Sequence, residues 1–217
     1  MSTVDDLTTL SLKSLQTQAA VVSEMMQPRV ELKDGSLGYR LGIETTITLK
    51  WGNDPFDPNA PEETITLVAP DSEVRFHDPV MTLDGSLRYE LETISYVAEG
   101  TSETLWPGEK VRIYVGRGVD PMLRATYGRF EITAAELGKT PVQSTQDVFL
   151  VLETPEGRLQ NRASAKMAAS ITAVPPVGDS YVQQGIVPLE DERGRVVCSK
   201  TATVSTIVEF LGERAAQ

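Results

Sequence analysis

With 217 residues, 40% of them hydrophobic, the chain can bury a proper core as one large or two small domains. Thirty-one acidic against 20 basic residues leave a net charge of -11, which opposes stable binding to a phosphate backbone. The longest apolar runs, such as 19–22 and 148–152, fall far short of the roughly 20 residues that span a bilayer, and the polar, acidic start carries no secretory signal, so neither membrane nor export is expected.

Leu12, Leu15, Ala19, Val22 and Met26 recur at three- and four-residue spacing and stop at Pro28. This predicts an N-terminal arm and helix, 1–28, with one apolar stripe that packs on the chain's own sheet or on a second subunit. From 29 to 155 the period changes to two. Tyr39, Leu41, Ile43, Ile47, Leu49 and Trp51 share one parity, with charged and threonine positions between them, the pattern of a long half-buried strand. Shorter strands are predicted at 64–68, 73–76, 87–97, 110–115, 128–133 and 147–153. Asp54-Pro55, Asp57-Pro58, Ala60-Pro61, Asp78-Pro79, Pro107-Gly108 and Asp120-Pro121 mark the loops between them. Many short strands joined by such turns predict an antiparallel sandwich or barrel over 29–155.

The octapeptide Asp34-Gly35-Ser36-Leu37-Gly38-Tyr39-Arg40-Leu41 returns as Asp84-Gly85-Ser86-Leu87-Arg88-Tyr89-Glu90-Leu91, with six of eight positions identical. Asp-Gly supplies positive φ for a tight turn, and Leu, Tyr, Leu at alternate positions then face one side of a sheet. If the two copies arose by duplication, turn and strand should occupy equivalent places in the fold.

Past a weak composition break near Pro155, residues 156–217 read as an extension of helix and hairpin that could belong to the same domain. Residues 158–169 are rich in helix formers and predict a short helix. A hairpin over 187–198 turns at Asp191-Glu192-Arg193-Gly194. Val204, Ile207, Val208 and Leu211 have helical spacing, with Gly212 as a cap, although their β-branched content also fits a strand. The fold class expected is mainly β, an antiparallel sandwich or barrel with an N-terminal helix and one or two short helices in the C-terminal part.

Chemical signatures are sparse. His77 is the only histidine and Cys198 the only cysteine, so a zinc set or an internal disulfide has nothing to use. Cys198 sits in an apolar strand-like run with no basic helix terminus beside it, which reads as an inert buried thiol in a reducing compartment. No Asn-x-Ser/Thr sequon, Gly-x-Ser-x-Gly elbow, Walker loop or complete dinucleotide fingerprint occurs. No cofactor and no catalytic residue are expected. The acidic loop 53–63 offers Asp54 and Asp57 as calcium candidates, but its spacing is not that of an EF-hand and three prolines stiffen it. With Phe56, Glu62 and Glu63 it reads instead as a docking loop. Leu12, Leu15, Val22 and Met26 are the other candidate contacts. Tyr39, Tyr89 and Trp51 read as core. Trp51 and Trp106 are far apart in sequence, which gives little support to a sugar-stacking platform.

Trp106-Pro107-Gly108-Glu109-Lys110-Val111-Arg112-Ile113-Tyr114-Val115-Gly116, followed by Tyr127-Gly128-Arg129-Phe130-Glu131-Ile132, resembles the turn, strand, glycine, loop, glycine, strand pattern of β-barrel domains in phage tail and baseplate proteins. The resemblance spans about residues 105–135. It implies a barrel that builds rings or tubes through contact with copies of itself and with other virion proteins, made in the host cytoplasm and located in the virion. An acidic lumen would let nucleic acid pass without adhering. The leading expectation is therefore a non-enzymatic virion structural protein of a tail, baseplate, neck or capsid-decorating kind. A carbohydrate-binding or adhesin-type sandwich is the alternative, and an enzyme with an unrecognised carboxylate pair comes third.

Overall fold

The computed structural model describes residues 26–83, 85–132 and 141–212. Four strands of 15 residues make one side of the molecule: β2 (Leu37–Trp51), β3 (Glu62–Phe76), β5 (Leu87–Thr101) and β14 (Val196–Phe210). They pair antiparallel in the order β14, β2, β3, β5. At about 3.3 Å per residue, each is about 50 Å long.

Short strands placed end to end make the opposite side. Over one half, β6 (Lys110–Val115), β9 (Leu150–Thr154), β10 (Gly157–Gln160) and β13 (Val187–Glu190) connect β5 back to β14. Over the other half, β7 (Thr126–Ile132), β8 (Val142–Val148), β11 (Ala165–Ile171) and β12 (Ser180–Gln184) make the same connection. Each half is thus a closed ring of eight antiparallel strands, and the rings are stacked on four shared staves. Closure leaves neither ring a free edge. Two short strands, β1 (Val30–Glu31) and β4 (Val80–Met81), form hairpins with β2 and β5 at the rim of the second ring.

Bulges mark the waist between rings. Register slips between Leu41 and Ile43 in the β2–β3 pair, between Val68 and Glu73 in β3–β5, and between Lys200 and Ala202 in β14–β2. A bulge bends its strand and leaves a residue outside the ladder. Pro70, which has no amide hydrogen to contribute, lies in the slipped segment of β3. The chain changes rings at Phe149 and again after Asn161. The Asn161 side chain accepts from Leu150 N at 2.8 Å and donates to Val148 O and Ala163 O, each at 2.8 Å, so one amide fixes both crossings.

The first ring is packed solid. Leu49, Leu67, Ala98, Val111, Leu152 and Leu189 meet at its centre, each with no exposed surface. Its outer end is closed by Trp106 against Trp51, edge to face with centroids 4.9 Å apart, and by the loop at 102–105. Tyr39, Leu41, Phe76, Tyr89, Leu91, Phe130 and Met167 belong to a separate cluster in the second ring.

Several sequence expectations are corrected here. The barrel is closed, and strands from both sides of Pro155 contribute to both rings. Segments 64–68 and 73–76 are one bent strand, because Pro70-Asp71 is a bulge and not a turn. Segment 147–153 is two strands, one per ring. The helix expected at 158–169 is β10 and β11: Ala165, Met167, Ala169 and Ile171 alternate inward, which overrides their helical propensity. The tail at 204–211 continues β14, and no helix occurs among the described residues. The N-terminal stripe at Leu12, Leu15 and Val22 lies outside the described residues.

The two octapeptides do occupy equivalent places. Val30 pairs with Gly38 as Val80 does with Arg88, and Glu31 with Leu37 as Met81 does with Leu87. Leu32 N donates to Ser36 O at 2.8 Å and Thr82 N to Ser86 O at 2.9 Å, while Gly35 and Gly85 take φ of 79° and 82°. Both hairpins feed a 15-residue stave that flanks β3.

Candidate functional site: a cavity in the second ring

The second ring encloses a cavity of about 110 Å³. A water needs about 10–15 Å³ on the same scale, so the space holds several waters or one small ring system. The wall is mostly apolar: Leu41, Leu91, Phe130, Met167, Ile171 and Ile207 are among its residues. Several buried positions in this ring carry small or polar side chains, beside the large rings of Tyr39, Phe76, Tyr89 and Phe130. Thr93, Thr126, Ser144, Thr203 and Gly128 are all buried here. Gly128 has a specific reason to lack a side chain, since a Cβ would lie 2.7 Å from Leu91 Cδ1 and 2.8 Å from Gln146 Cγ.

At the rim, Tyr39 contacts Phe76 and Phe210 edge to face, with centroids 5.3 and 5.9 Å apart. The Tyr39 hydroxyl donates to Gln27 O at 2.9 Å, and Gln27 N donates to Val174 O at 2.7 Å. Val174, Pro175 and Pro176, in the loop between β11 and β12, complete this end of the cavity.

The waist forms the polar side of the cavity. Tyr96 donates to Thr45 Oγ1 at 2.8 Å, and Thr45 and Ser205 share a hydrogen bond of 2.9 Å. Thr203 Oγ1 donates to Gln183 Oε1 at 2.8 Å, and Gln183 Nε2 donates to Lys200 O at 2.9 Å. These groups satisfy one another, as buried polar groups must.

Lys200 is different. It is the one charged residue in the cavity wall, is 2% exposed, and makes no ion pair or side-chain hydrogen bond among the described residues. Its Cα lies opposite Leu49 and Val187, inward-facing members of the packed ring, so the register turns its side chain into the barrel. The bulge immediately after it ends that register. Burial alone pulls the amine down from 10.5 to about 7. The ionisable neighbours in the same wall are phenols. Burial raises Tyr39 and Tyr96 to about 12, opposed at Tyr39 by Arg29 and at Tyr96 by the Thr45 hydrogen bond, and raises Tyr181 as well. Two residues before Lys200, burial pushes the Cys198 thiol up to about 12, which keeps it protonated.

The residues singled out from sequence lie elsewhere. Asp54 and Asp57 are turn residues whose carboxylates accept from Phe56 N and Asn59 N, each at 2.9 Å. No group of three or more acidic, His or Cys side chains suited to a metal occurs among the described residues. Phe56 is 77% exposed at the packed ring's end, and Glu62 is exposed. Glu63 is not a docking residue. It is buried, and its carboxylate accepts from Ser102 Oγ and from the amides of Glu103, Thr104 and Leu105 at 2.5–3.1 Å. Desolvation raises its pKa, but those hydrogen bonds together outweigh it and hold the group below its ordinary value. Met26 packs against the second ring's cluster and bridges Val174. His77 is exposed. Trp51 and Trp106 pack on each other and offer no flat platform.

Lys200 is not among the residues that motif and spacing single out, although the sequence carries a signal for it. It shares parity with Cys198, so a strand that buries the thiol also buries the lysine.

No family model and no curated protein matches the chain. Among solved structures, DynF from the dynemicin biosynthesis pathway of Micromonospora chersina is similar in fold. The TM-score is 0.63, with 17% identity over 80% of this chain and 81% of that one. The match corrects the resemblance to tail and baseplate proteins and the virion structural role drawn from it. It removes equally the ground for expecting no enzyme, since the protein sharing this fold over most of its length belongs to a biosynthesis pathway. The segment behind the resemblance is the crossing from one ring to the other. Its glycines at 116 and 118 are there because a Cβ would lie 2.3 and 2.8 Å from Ile94 O, which is a demand of the waist and not of tube building.

Proposed function

We propose that the protein binds a small, largely apolar molecule inside the second ring, with the polar waist orienting one end of it. The observation that carries this reading is the contrast in filling: one set of staves surrounds a solid core and then, beyond the waist, an apolar space with a few convergent polar groups. Such a combination is what small-molecule sites provide. The similarity of fold to a protein of a biosynthesis pathway supports the reading.

A thermal-shift titration with single-ring compounds such as benzyl alcohol tests it. At ten times Kd, binding to the folded state adds about 1.4 kcal/mol, which in a chain of this size raises Tm by about 3–6 °C. Val115→Phe and Ile171→Phe, which fill the cavity from the waist and from the rim, should abolish the shift while the far-ultraviolet spectrum stays that of a β-barrel. Absence of a shift with every compound, or a shift unchanged in both variants, would rule out the cavity as the site.

A further inference from the structure

We infer that Lys200 is a nucleophilic amine that condenses with the carbonyl group of a molecule held in the second ring, so that the ligand class is an aldehyde or ketone on a small apolar body. The inference rests on the binding reading above and names the chemistry at its polar end.

A lysine in such a place needs a reason. An ammonium taken out of water without a partner costs several kcal/mol, and the wall supplies no carboxylate among the described residues. Thr45, Tyr96, Ser205, Thr203 and Gln183 are close by in the waist, yet they are committed to one another. The environment therefore favours the neutral amine, whose lone pair is free. The low pKa agrees with that geometry. Desolvation in an apolar pocket is a recognised way to activate a lysine towards carbonyl carbon. Tyr39, Tyr96, Tyr181 and Cys198, the other ionisable groups in or beside this wall, are all held neutral by burial, so none restores a charge to the amine.

The step balances without any further reagent. The Nζ lone pair forms a bond to the carbonyl carbon, and the C=O π pair moves to oxygen, which takes a proton. The carbinolamine then loses that oxygen as water. Nitrogen gives up its two hydrogens in the process, and the product is a C=N bond. Oxidation states are conserved overall. The mostly apolar wall limits the water that can reverse the step.

Benzaldehyde, about the size the cavity accepts, is the probe, with sodium borohydride to reduce any imine to a stable secondary amine. The intact protein should gain one benzyl group per chain, and peptide mapping should place it on Lys200. Lys200→Met, which keeps the volume of the side chain, should lose the adduct completely while its far-ultraviolet spectrum stays that of the parent barrel. An adduct spread over surface lysines or the chain terminus, and unchanged in Lys200→Met, overturns the inference. So does benzoate stabilising the protein through Lys200 while benzaldehyde gives no adduct, because the amine would then serve as a cation for an acid. In both cases a retained shift with benzyl alcohol leaves the binding reading standing. If benzyl alcohol and benzaldehyde both fail to bind, the reading and the inference fall together.

Discussion

The two rings are built on the same four staves, yet one is solid and the other encloses space. In the packed ring the staves and short strands send Leu49, Leu67, Val111, Leu152 and Leu189 inward, and these fill the centre of an eight-stranded barrel. At the waist the same staves turn Thr45, Thr93, Thr203 and Ser205 towards the cavity, and their short side chains leave open a space that the larger side chains nearer the rim do not fill. Filling is therefore decided by side-chain size at inward positions and not by strand number. The packed ring anchors the fold, and its stability allows the second ring to keep a cavity and an unpaired amine.

The largest effect should separate the rings by their response to truncation. Leu67→Ala in the packed ring removes a fully buried side chain where neighbours cannot collapse, and should cost about 3–5 kcal/mol. Leu91→Ala in the second ring only enlarges space that already exists. It should forfeit mainly the transfer term, about 2–3 kcal/mol, and should admit a larger ligand. Chemical denaturation measures both. Equal costs would mean that the second ring is packed as tightly as the first.

How much of this was legible in sequence follows from the same contrast. Alternation at Tyr39, Leu41, Ile47 and Leu49 showed β2 plainly, because that strand keeps apolar residues inside at these positions and turns a polar one inward only at Thr45. In β14 the code inverts above the waist: Thr203 is buried and Ser205 lines the cavity, while Val204 and Val208 are 39% and 52% exposed. Reading apolar as inward then selects the wrong residues, and Val204, Ile207, Val208 and Leu211 fall into a helical spacing by coincidence. A hollow ring erases the pattern that a packed ring writes. The site was hidden for the same reason, since a lone lysine in a strand looks like a solvated residue until the strand is closed into a barrel.

The next effect concerns charge in the hollow ring. Below about pH 7, Lys200 holds its proton in both the folded and unfolded chain, and the folded chain bears the full cost of burying it. Between about 7 and 10.5 the folded chain has released the proton and the unfolded chain has not, so the unfolded state binds more protons and stability rises with pH. Relative to Lys200→Met, the parent should gain about 1.4 kcal/mol per pH unit in that window. Above 10 the buried tyrosines act in the opposite sense. Tyr39, Tyr89 and Tyr96 stay neutral to about 12 when folded but ionise at about 10 when unfolded. Denaturation of both proteins from pH 6 to pH 10 checks the slope, and parallel curves would show that Lys200 is as well solvated as a surface lysine.

The smallest effect tests whether the rim of the hollow ring is braced evenly by its two hairpins. A Cβ at Gly35 would meet only Glu31 Oε1, at 4.0 Å, and at Gly85 it would meet nothing within 4 Å. Substitution therefore has no steric term, and what remains is the strain of positive φ in a residue with a side chain, about 1–2 kcal/mol. Because φ is 79° and 82° in the two turns, Gly35→Ala and Gly85→Ala should each cost that amount and the two costs should agree. The double variant should equal their sum, and any departure would measure coupling between the turns. A clear inequality would mean that one hairpin relaxes at the rim where its twin does not. The matched registers of β1–β2 and β4–β5 would then be an equivalence of geometry without an equivalence of energy.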